Sequence, residues 1–129
     1  MLLLTHIACM ALAFLLIAAG VLIAMFRRKN PAWLKRHKTL NTSGMGLSLT
    51  GFFFITLAIS QVQGEHFTIL HTWVGLMIIA SILITPLLGQ LMFAVGAQAA
   101  KLRPWHIWWG RATLALMVLN VILGIDLIF

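Results

Sequence analysis

Long apolar runs without a charge dominate the chain. They occur at four places, and each is near or above the roughly 20 residues that a helix needs to cross the hydrocarbon core of a bilayer. Little sequence remains between them for a soluble domain. The pattern therefore predicts an all-α fold, an integral membrane four-helix bundle in a single domain over residues 1–129, with helices at about 2–26, 36–61, 67–98 and 105–129.

Composition agrees with this assignment. Hydrophobic residues make up 62% of the 129 residues and charged residues 9%, and a soluble domain of this length could not keep so much apolar surface out of water. The first run carries its charges after the apolar core and is too long for a signal peptide, so we expect a retained helix. Cys9 is the only cysteine, so disulfides do not shape the fold.

Basic residues surround two of the three predicted connections. The formal net charge is +7, but charges placed beside membrane spans indicate contact with anionic lipid headgroups and not with nucleic acid. The N-terminus, the second connection and the C-terminus carry none of them, which places both termini on the non-cytoplasmic side by the positive-inside rule. The first connection has Arg27, Arg28, Lys29, Lys35, Arg36 and Lys38, and the third has Lys101, Arg103 and Arg111.

Four of the five histidines lie near the start of a predicted helix. Because successive helices run in opposite directions, His6 and His71 would meet near the outer face, and His37 and His106 near the inner face. Two imidazoles from two helices are what a six-coordinate haem b requires. A metal ion held by all four is disfavoured because two lie on each face. His66 lies in the external connection, either as a solvated loop residue or as part of an electron exit.

Small and polar residues follow each histidine on the same helical face. Positions fourteen and eighteen beyond a residue return to nearly the same face of a helix, and fourteen residues rise about 21 Å. This rise is consistent with two cofactors stacked across one membrane. The competing explanation for the glycines is close helix packing. The residues at these positions are Gly20, Gly51, Thr85, Gly89, Asn120 and Gly124.

Polar residues inside the spans have two interpretations each. Arg111 either neutralises a haem propionate or extends to the inner headgroups. Asn41, one turn after His37, either holds a propionate or orients an imidazole. Asn120 either faces the outer haem or forms a hydrogen bond between helices. Pro86 predicts a kink in the third helix.

Three segments place a histidine at a fixed spacing from small, polar or aromatic residues. They are "WLKRHKTLNTSG" with Trp33, His37 and Asn41, "HTWVGL" with His71 and Gly75, and "WHIWWGRATLALMVLNVILGI" with His106, Gly110, Asn120 and Gly124. These segments resemble the cytochrome b561 family, the transmembrane ascorbate and ferric reductases and their relatives. In the first helix only His6 matches, because Ile7 stands where a glycine is common in the family. The resemblance covers essentially the whole chain, although family members have five or six helices and this chain has four.

The resemblance implies two non-covalent haem b groups that pass single electrons from a cytoplasmic donor to an external acceptor. His6 with His71 and His37 with His106 would ligate the iron. Basic residues near the inner haem would receive ascorbate, although a quinol or a partner protein is an open alternative as donor. The candidates for this contact are Arg36, Lys38 and Arg103.

Three functions are therefore carried forward. The first is a transmembrane oxidoreductase, ascorbate- or quinol-dependent, or an electron-carrier subunit, as a homodimer or within a larger membrane complex. The second is a quinone-linked cytochrome b anchor subunit, which shares the haem groups. The third is a haem-free structural or assembly subunit.

The brevity of the chain favours a bacterial inner membrane. The sequence has no glycine-rich phosphate loop, paired carboxylates or covalent haem motif, which disfavours nucleotide chemistry, hydrolysis and covalent haem.

Overall fold

The computed structural model describes residues 1–127, and nearly all of them are helical. All four long helices have the length and hydropathy needed to cross a membrane. Within residues 1–127 there is no strand. The predicted all-α class and the multi-pass membrane character are therefore confirmed. The helices are α1 Leu2–Phe26, α2 Trp33–Gln61, α3 Leu70–Ala94 and α4 Ala99–Ile125, with a 3-10 turn Gly96–Gln98 before α4.

Two helices begin earlier than the sequence pattern predicts. α2 starts at Trp33 instead of residue 36, and α4 starts at Ala99 instead of residue 105. The prediction followed uncharged runs, whereas backbone hydrogen bonding continues a helix past the apolar span into the charged interface. α4 even includes Pro104 as its sixth residue, just beyond the first four N–H groups that lack an intrahelical partner in any helix, so the proline removes one backbone hydrogen bond near the helix start.

α3 is shorter than the predicted 67–98. It ends at Ala94, and Gly96 then adopts a φ of 53°, the left-handed conformation in which glycine commonly terminates a helix. Pro86 lies inside α3, and the kink expected there stays a prediction. The predicted end of the last helix at residue 129 lies outside the described residues.

The chain forms two compact units. The first, Met1–Thr72, contains α1 and α2, joined by residues 27–32; the second begins at Trp73 and contains the rest of α3 together with α4. Within each unit the two helices run antiparallel, because a residue near the start of one lies beside a residue near the end of the other. In the first unit, for example, His37 contacts Gly20.

Small residues bring α1 and α2 into close contact. A Cβ added at Gly44 would lie 2.5 Å from Ile17 Cγ1 and 3.1 Å from the carbonyl oxygen of Ala13. Ala13 has no exposed surface, and Ile17 is 4% exposed. The absence of a side chain at Gly44 therefore lets the two backbones approach, which is how membrane helices gain packing energy without a hydrophobic driving force.

α3 and α4 pack through a mixed apolar and polar contact. The buried apolar residues are Ile78 and Ile82 on α3 and Met117 on α4. Thr113 of α4 is a buried polar residue, 3% exposed. The Thr113 hydroxyl lies 3.5 Å from the hydroxyl of Thr85. Each of these two hydroxyls also donates to a carbonyl oxygen four residues earlier in its own helix, so both polar groups are satisfied within the hydrocarbon region.

Most of the buried positions follow one spacing in all four helices. In α1, α2 and α4, buried residues occur seven, eleven and fourteen positions after the histidine, and in α3 seven and eleven positions after it. This spacing keeps a single face of the helix toward its neighbour. The contact face of each helix therefore begins at its histidine. The residues are Ala13, Ile17 and Gly20; Gly44, Ser48 and Gly51; Ile78 and Ile82; and Thr113, Met117 and Asn120.

Large apolar side chains remain exposed on every helix, including Leu15, Phe53, Leu87 and Val121. In a soluble protein so many exposed apolar side chains would promote association. A bilayer covers them without cost, and the backbone polar groups behind them are satisfied within the helices.

Replacing Gly44 by alanine should destabilise the first unit, because the new Cβ would press against Ile17 and the Ala13 carbonyl. Alanine favours a helix over glycine by about 1 kcal/mol, but overpacking costs about 1–3 kcal/mol. The matched control is Gly46→Ala in the same helix, since a Cβ at Gly46 meets nothing within 4 Å.

We expect Gly46→Ala to unfold in detergent micelles at or above the temperature of the unmodified protein, and Gly44→Ala to unfold below that of the control. The free energies of unfolding of the two variants should differ by about 1–3 kcal/mol. Equal unfolding temperatures for the two variants would show that α1 and α2 do not pack through Gly44.

Candidate functional site

Two histidines in the first unit bind the backbone of the neighbouring helix. His6 Nδ1 lies 2.9 Å from the carbonyl oxygen of Gly51, and His37 Nδ1 lies 2.9 Å from the carbonyl oxygen of Gly20. Each glycine stands fourteen residues after the histidine of its own helix. The two hydrogen bonds are therefore reciprocal, and together they fix the register of α1 against α2.

The second unit repeats this arrangement. His106 Nδ1 lies 3.0 Å from the carbonyl oxygen of Thr85, which stands fourteen residues after His71. The fourth equivalent position is Asn120, fourteen residues after His106. Asn120 is 6% exposed, and a Cβ at Gly75, one turn after His71, would lie 3.6 Å from its amide nitrogen.

These hydrogen bonds select one form of each ring. A carbonyl oxygen only accepts, so Nδ1 carries a proton, and in the neutral ring Nε2 then carries the lone pair. Histidines that ligate metals commonly donate their second ring N–H in this way, which fixes the tautomer and raises the basicity of the ligating nitrogen. His6, His37 and His106 are half-buried. Their chemistry and surroundings fit ligands of a haem iron.

Asn41 supports the turn that carries His37. Its amide donates to the carbonyl oxygen of His37 at 2.7 Å, and the same nitrogen lies 3.2 Å from His37 Nδ1. Asn41 also occupies the space that a Cβ on Gly20 would need. Of its two predicted roles, orientation of the imidazole is the one that these contacts support.

The glycines predicted near a cofactor lie at contacts between helices. Gly20 faces Asn41, and a Cβ on Gly51 would lie 3.0 Å from Met10 Sδ. A Cβ on Gly89 would lie 3.1 Å from His106 Cε1, so the bare backbone there makes room for the imidazole. Close packing therefore accounts for these three glycines, and contact with a porphyrin stays a prediction for them, as it does for half-buried Gly124.

Arg111 is exposed and stacks on a neighbouring indole. Its guanidinium carbon lies 5.3 Å from the ring centroid of Trp108, which is 67% exposed. Such a cation–π contact is typical of a side chain anchored near the membrane interface. Neutralisation of a haem propionate by Arg111 stays a prediction.

The three candidate donor contacts, Arg36, Lys38 and Arg103, are exposed. Arg36 also lines a cavity of about 270 Å³ at the α1–α2 connection, together with Ile23, Arg27, Asn30 and Trp33. The sequence reasoning missed this cavity, because a loop conformation and not a helical spacing creates it. The only sequence signal is the Asn-Pro pair beside the arginines, a dipeptide that marks turns.

His66 is fastened to the end of α2. Its Nε2 lies 3.2 Å from the Ser60 hydroxyl and 3.2 Å from the carbonyl oxygen of Thr56. The ring is half-buried. His66 therefore lies in the connection between α2 and α3, as the sequence predicts, with its ring bonded to the end of α2, and a role at an electron exit stays a prediction.

The family comparison agrees with this site. Residues 5–129 match the family model described as eukaryotic cytochrome b561, a range that contains all four candidate ligands. Comparisons with curated proteins and with solved structures give no match. Because the family description is eukaryotic, the bacterial membrane favoured by the brevity of the chain stays a prediction. The chain belongs to the cytochrome b561 family, whose members carry electrons across membranes through haem b.

Proposed function

We propose that this protein transfers electrons across the membrane through two bis-histidine haem b groups, one near each face. The observation that carries the proposal is the set of three Nδ1 hydrogen bonds to backbone carbonyls in a common fourteen-residue register. Each bond leaves Nε2 as the basic nitrogen of its ring. A histidine used only for packing needs no such uniform arrangement.

The proposed ligand pairs are His6 with His71 and His37 with His106. When bound, haem b supplies a one-electron couple, and ligation by two histidines favours electron transfer over oxygen chemistry. The chain supplies the ligating nitrogens, the carbonyls that orient the rings and Asn41, which holds the turn of His37. Fourteen residues of helix, about 21 Å, would separate the inner and outer sites.

The proposed direction of electron flow is from the cytoplasmic side outward. It is supported by the family and by the basic residues at the α1–α2 connection, which favour a cytoplasmic location for that end. On this orientation Lys38 and Arg103, with Arg36, would attract an anionic electron donor such as ascorbate. Both termini and His66 would then lie outside, where the acceptor docks.

Single histidine variants should separate the two haem groups. His37→Ala and His106→Ala should each lose the same haem, and His6→Ala and His71→Ala the other, because a haem that two histidines would hold is bound more weakly when one of them is removed. His66→Ala is the control, since His66 bonds to the end of α2. The measurement is a reduced-minus-oxidised spectrum with haem quantified per chain.

The unmodified protein and His66→Ala should contain two low-spin haem b groups per chain. Absence of haem from the unmodified protein overturns the proposed function altogether. A single haem per chain, or the loss of different haem groups from His37→Ala and His106→Ala, shows that the pairing by face is wrong.

Gly89→Ala should disturb the inner site through His106, because the new Cβ would lie 3.1 Å from Cε1 of the ring. Changes in the residues that orient a ligand typically cost 10–100-fold in metal affinity. We expect the inner haem to be lost roughly tenfold more readily when the protein is titrated with apomyoglobin as a haem acceptor.

The same titration of Gly46→Ala gives the control, since that exchange meets open space. Equal haem retention by Gly89→Ala and the control would show that the His106 ring is not held against α3. The redox spectrum of the remaining outer haem should be unchanged in both variants.

A further inference from the structure

The cavity at the α1–α2 connection is formed by charged, polar and apolar side chains together. Its volume is about 270 Å³, below the range of about 300–1,000 Å³ typical of pockets that enclose a complete small ligand. It therefore fits a chemical group better than a whole drug-sized molecule. The lining residues are Ile23, Arg27, Asn30, Trp33 and Arg36.

No acidic side chain of this unit is placed to neutralise the cavity. The chain has two acidic residues. Glu65 follows the far end of α2, nearly thirty residues from Arg36, and Asp126 follows α4 in the second unit. Two arginines that line one cavity without a carboxylate of their own unit favour an external anion, and the planar fork of arginine suits the oxygens of a phosphate.

The depth of the cavity indicates where the anion comes from. Ile23 precedes Arg27 by one helical turn, so the apolar wall lies about 6 Å farther into the membrane than the charged wall. Trp33 forms the aromatic wall, and tryptophan is enriched at the headgroup level of bilayers. A phospholipid presents its groups in the same order, with the phosphate outermost and the glycerol and acyl chains deeper in the membrane. A soluble anion has no apolar part that would contact Ile23.

Local contacts hold the cavity in shape. The Arg28 guanidinium lies 5.8 Å from the centroid of the Trp33 ring on which it stacks. The backbone N–H of Ala32 donates to the Asn30 side-chain oxygen at 2.8 Å, which fixes the turn between the helices. The Trp33 ring lies 6.2 Å from the ring of His37, so the cavity adjoins a candidate haem ligand.

We propose that this cavity binds the phosphate of an anionic phospholipid. Arg27 and Arg36 hold the phosphate oxygens, the Asn30 amide hydrogen-bonds to the headgroup, and Ile23 and Trp33 contact the glycerol and the first methylenes. The bound lipid ties the end of α1 to the start of α2 beside His37. In this assignment Arg36 contacts the lipid, and Lys38 and Arg103, which do not line the cavity, remain for direct contact with the electron donor. The assignment does not depend on the proposed electron transfer.

Lipid binding can be tested without reference to haem. The full chain is reconstituted in nanodiscs of phosphatidylglycerol or of phosphatidylcholine, released in the gas phase, and examined by native mass spectrometry for retained lipid. The variant is Arg27→Gln, and the matched control is Lys29→Gln, which removes the same charge from the same connection at a residue that does not line the cavity. Arg27→Lys tests the need for a planar fork.

The unmodified protein and Lys29→Gln should retain one phosphatidylglycerol each. Arg27→Gln should bind it about tenfold more weakly than Lys29→Gln, as expected for loss of one charge-assisted hydrogen bond, with Arg27→Lys in between. Thermal unfolding in detergent identifies any variant that fails to fold. If Arg27→Gln fails to fold, lipid retention by Arg27→Lys is compared with that by Lys29→Gln.

Three results would overturn the proposal. Equal retention of phosphatidylcholine would show that the cavity does not select an anion. Equal weakening by Arg27→Gln and Lys29→Gln would show that only the general surface charge attracts lipid. Displacement of phosphatidylglycerol by millimolar inorganic phosphate from the unmodified protein, but not from Arg27→Gln, would assign the cavity to a soluble anion instead.

Discussion

An imidazole placed in hydrocarbon needs an acceptor for its ring N–H, and this requirement organises each pair of helices. The acceptor is a backbone carbonyl of the neighbouring helix, at the residue fourteen positions after that helix's own histidine. A carbonyl already bonded within its helix can accept again through its second lone pair. The histidine is therefore satisfied without breaking the helix, and the register of the pair is set by the bond.

The same constraint explains the distribution of small residues. A side-chain N–H reaches a backbone carbonyl only if the helices are close, and Gly20, Gly44 and Gly51 permit that approach along the α1–α2 contact. In the second unit Thr85 is the acceptor, and its hydroxyl is tied back to Ser81 at 2.7 Å. Helix packing and imidazole orientation are thus coupled, because a Cβ that separates the helices also moves the acceptor out of reach.

The sequence predicted the register but not how it is used. Counting fourteen residues from each histidine identified Gly20, Gly51, Thr85 and Asn120, since helical geometry alone decides which residues share a face. The count could not show that three of these residues act through their carbonyl oxygens, because that depends on the distance between helices. It also could not reveal the cavity beside Trp33, which depends on the turn at Asn30. The helix starts at Trp33 and Ala99 were missed because charge marks the membrane boundary and not the end of backbone hydrogen bonding.

The backbone arrangement around the histidines is shared by the two units, so the differences between their surroundings lie in the side chains. One turn after each histidine stand Met10, Asn41, Gly75 and Gly110, and for each the structure places the fourteenth-position residue of the neighbouring helix beside it. In the first unit Asn41 contributes an amide and Met10 a thioether, whereas in the second unit Gly75 and Gly110 contribute no side chain. Under the proposed function the three orienting carbonyls are of one kind and cannot by themselves rank the two haem potentials. Hydrogen bonding and polarity around haem ligands tune such potentials, so under the proposed function the residue one turn after each histidine would be where the chain sets one haem site apart from the other.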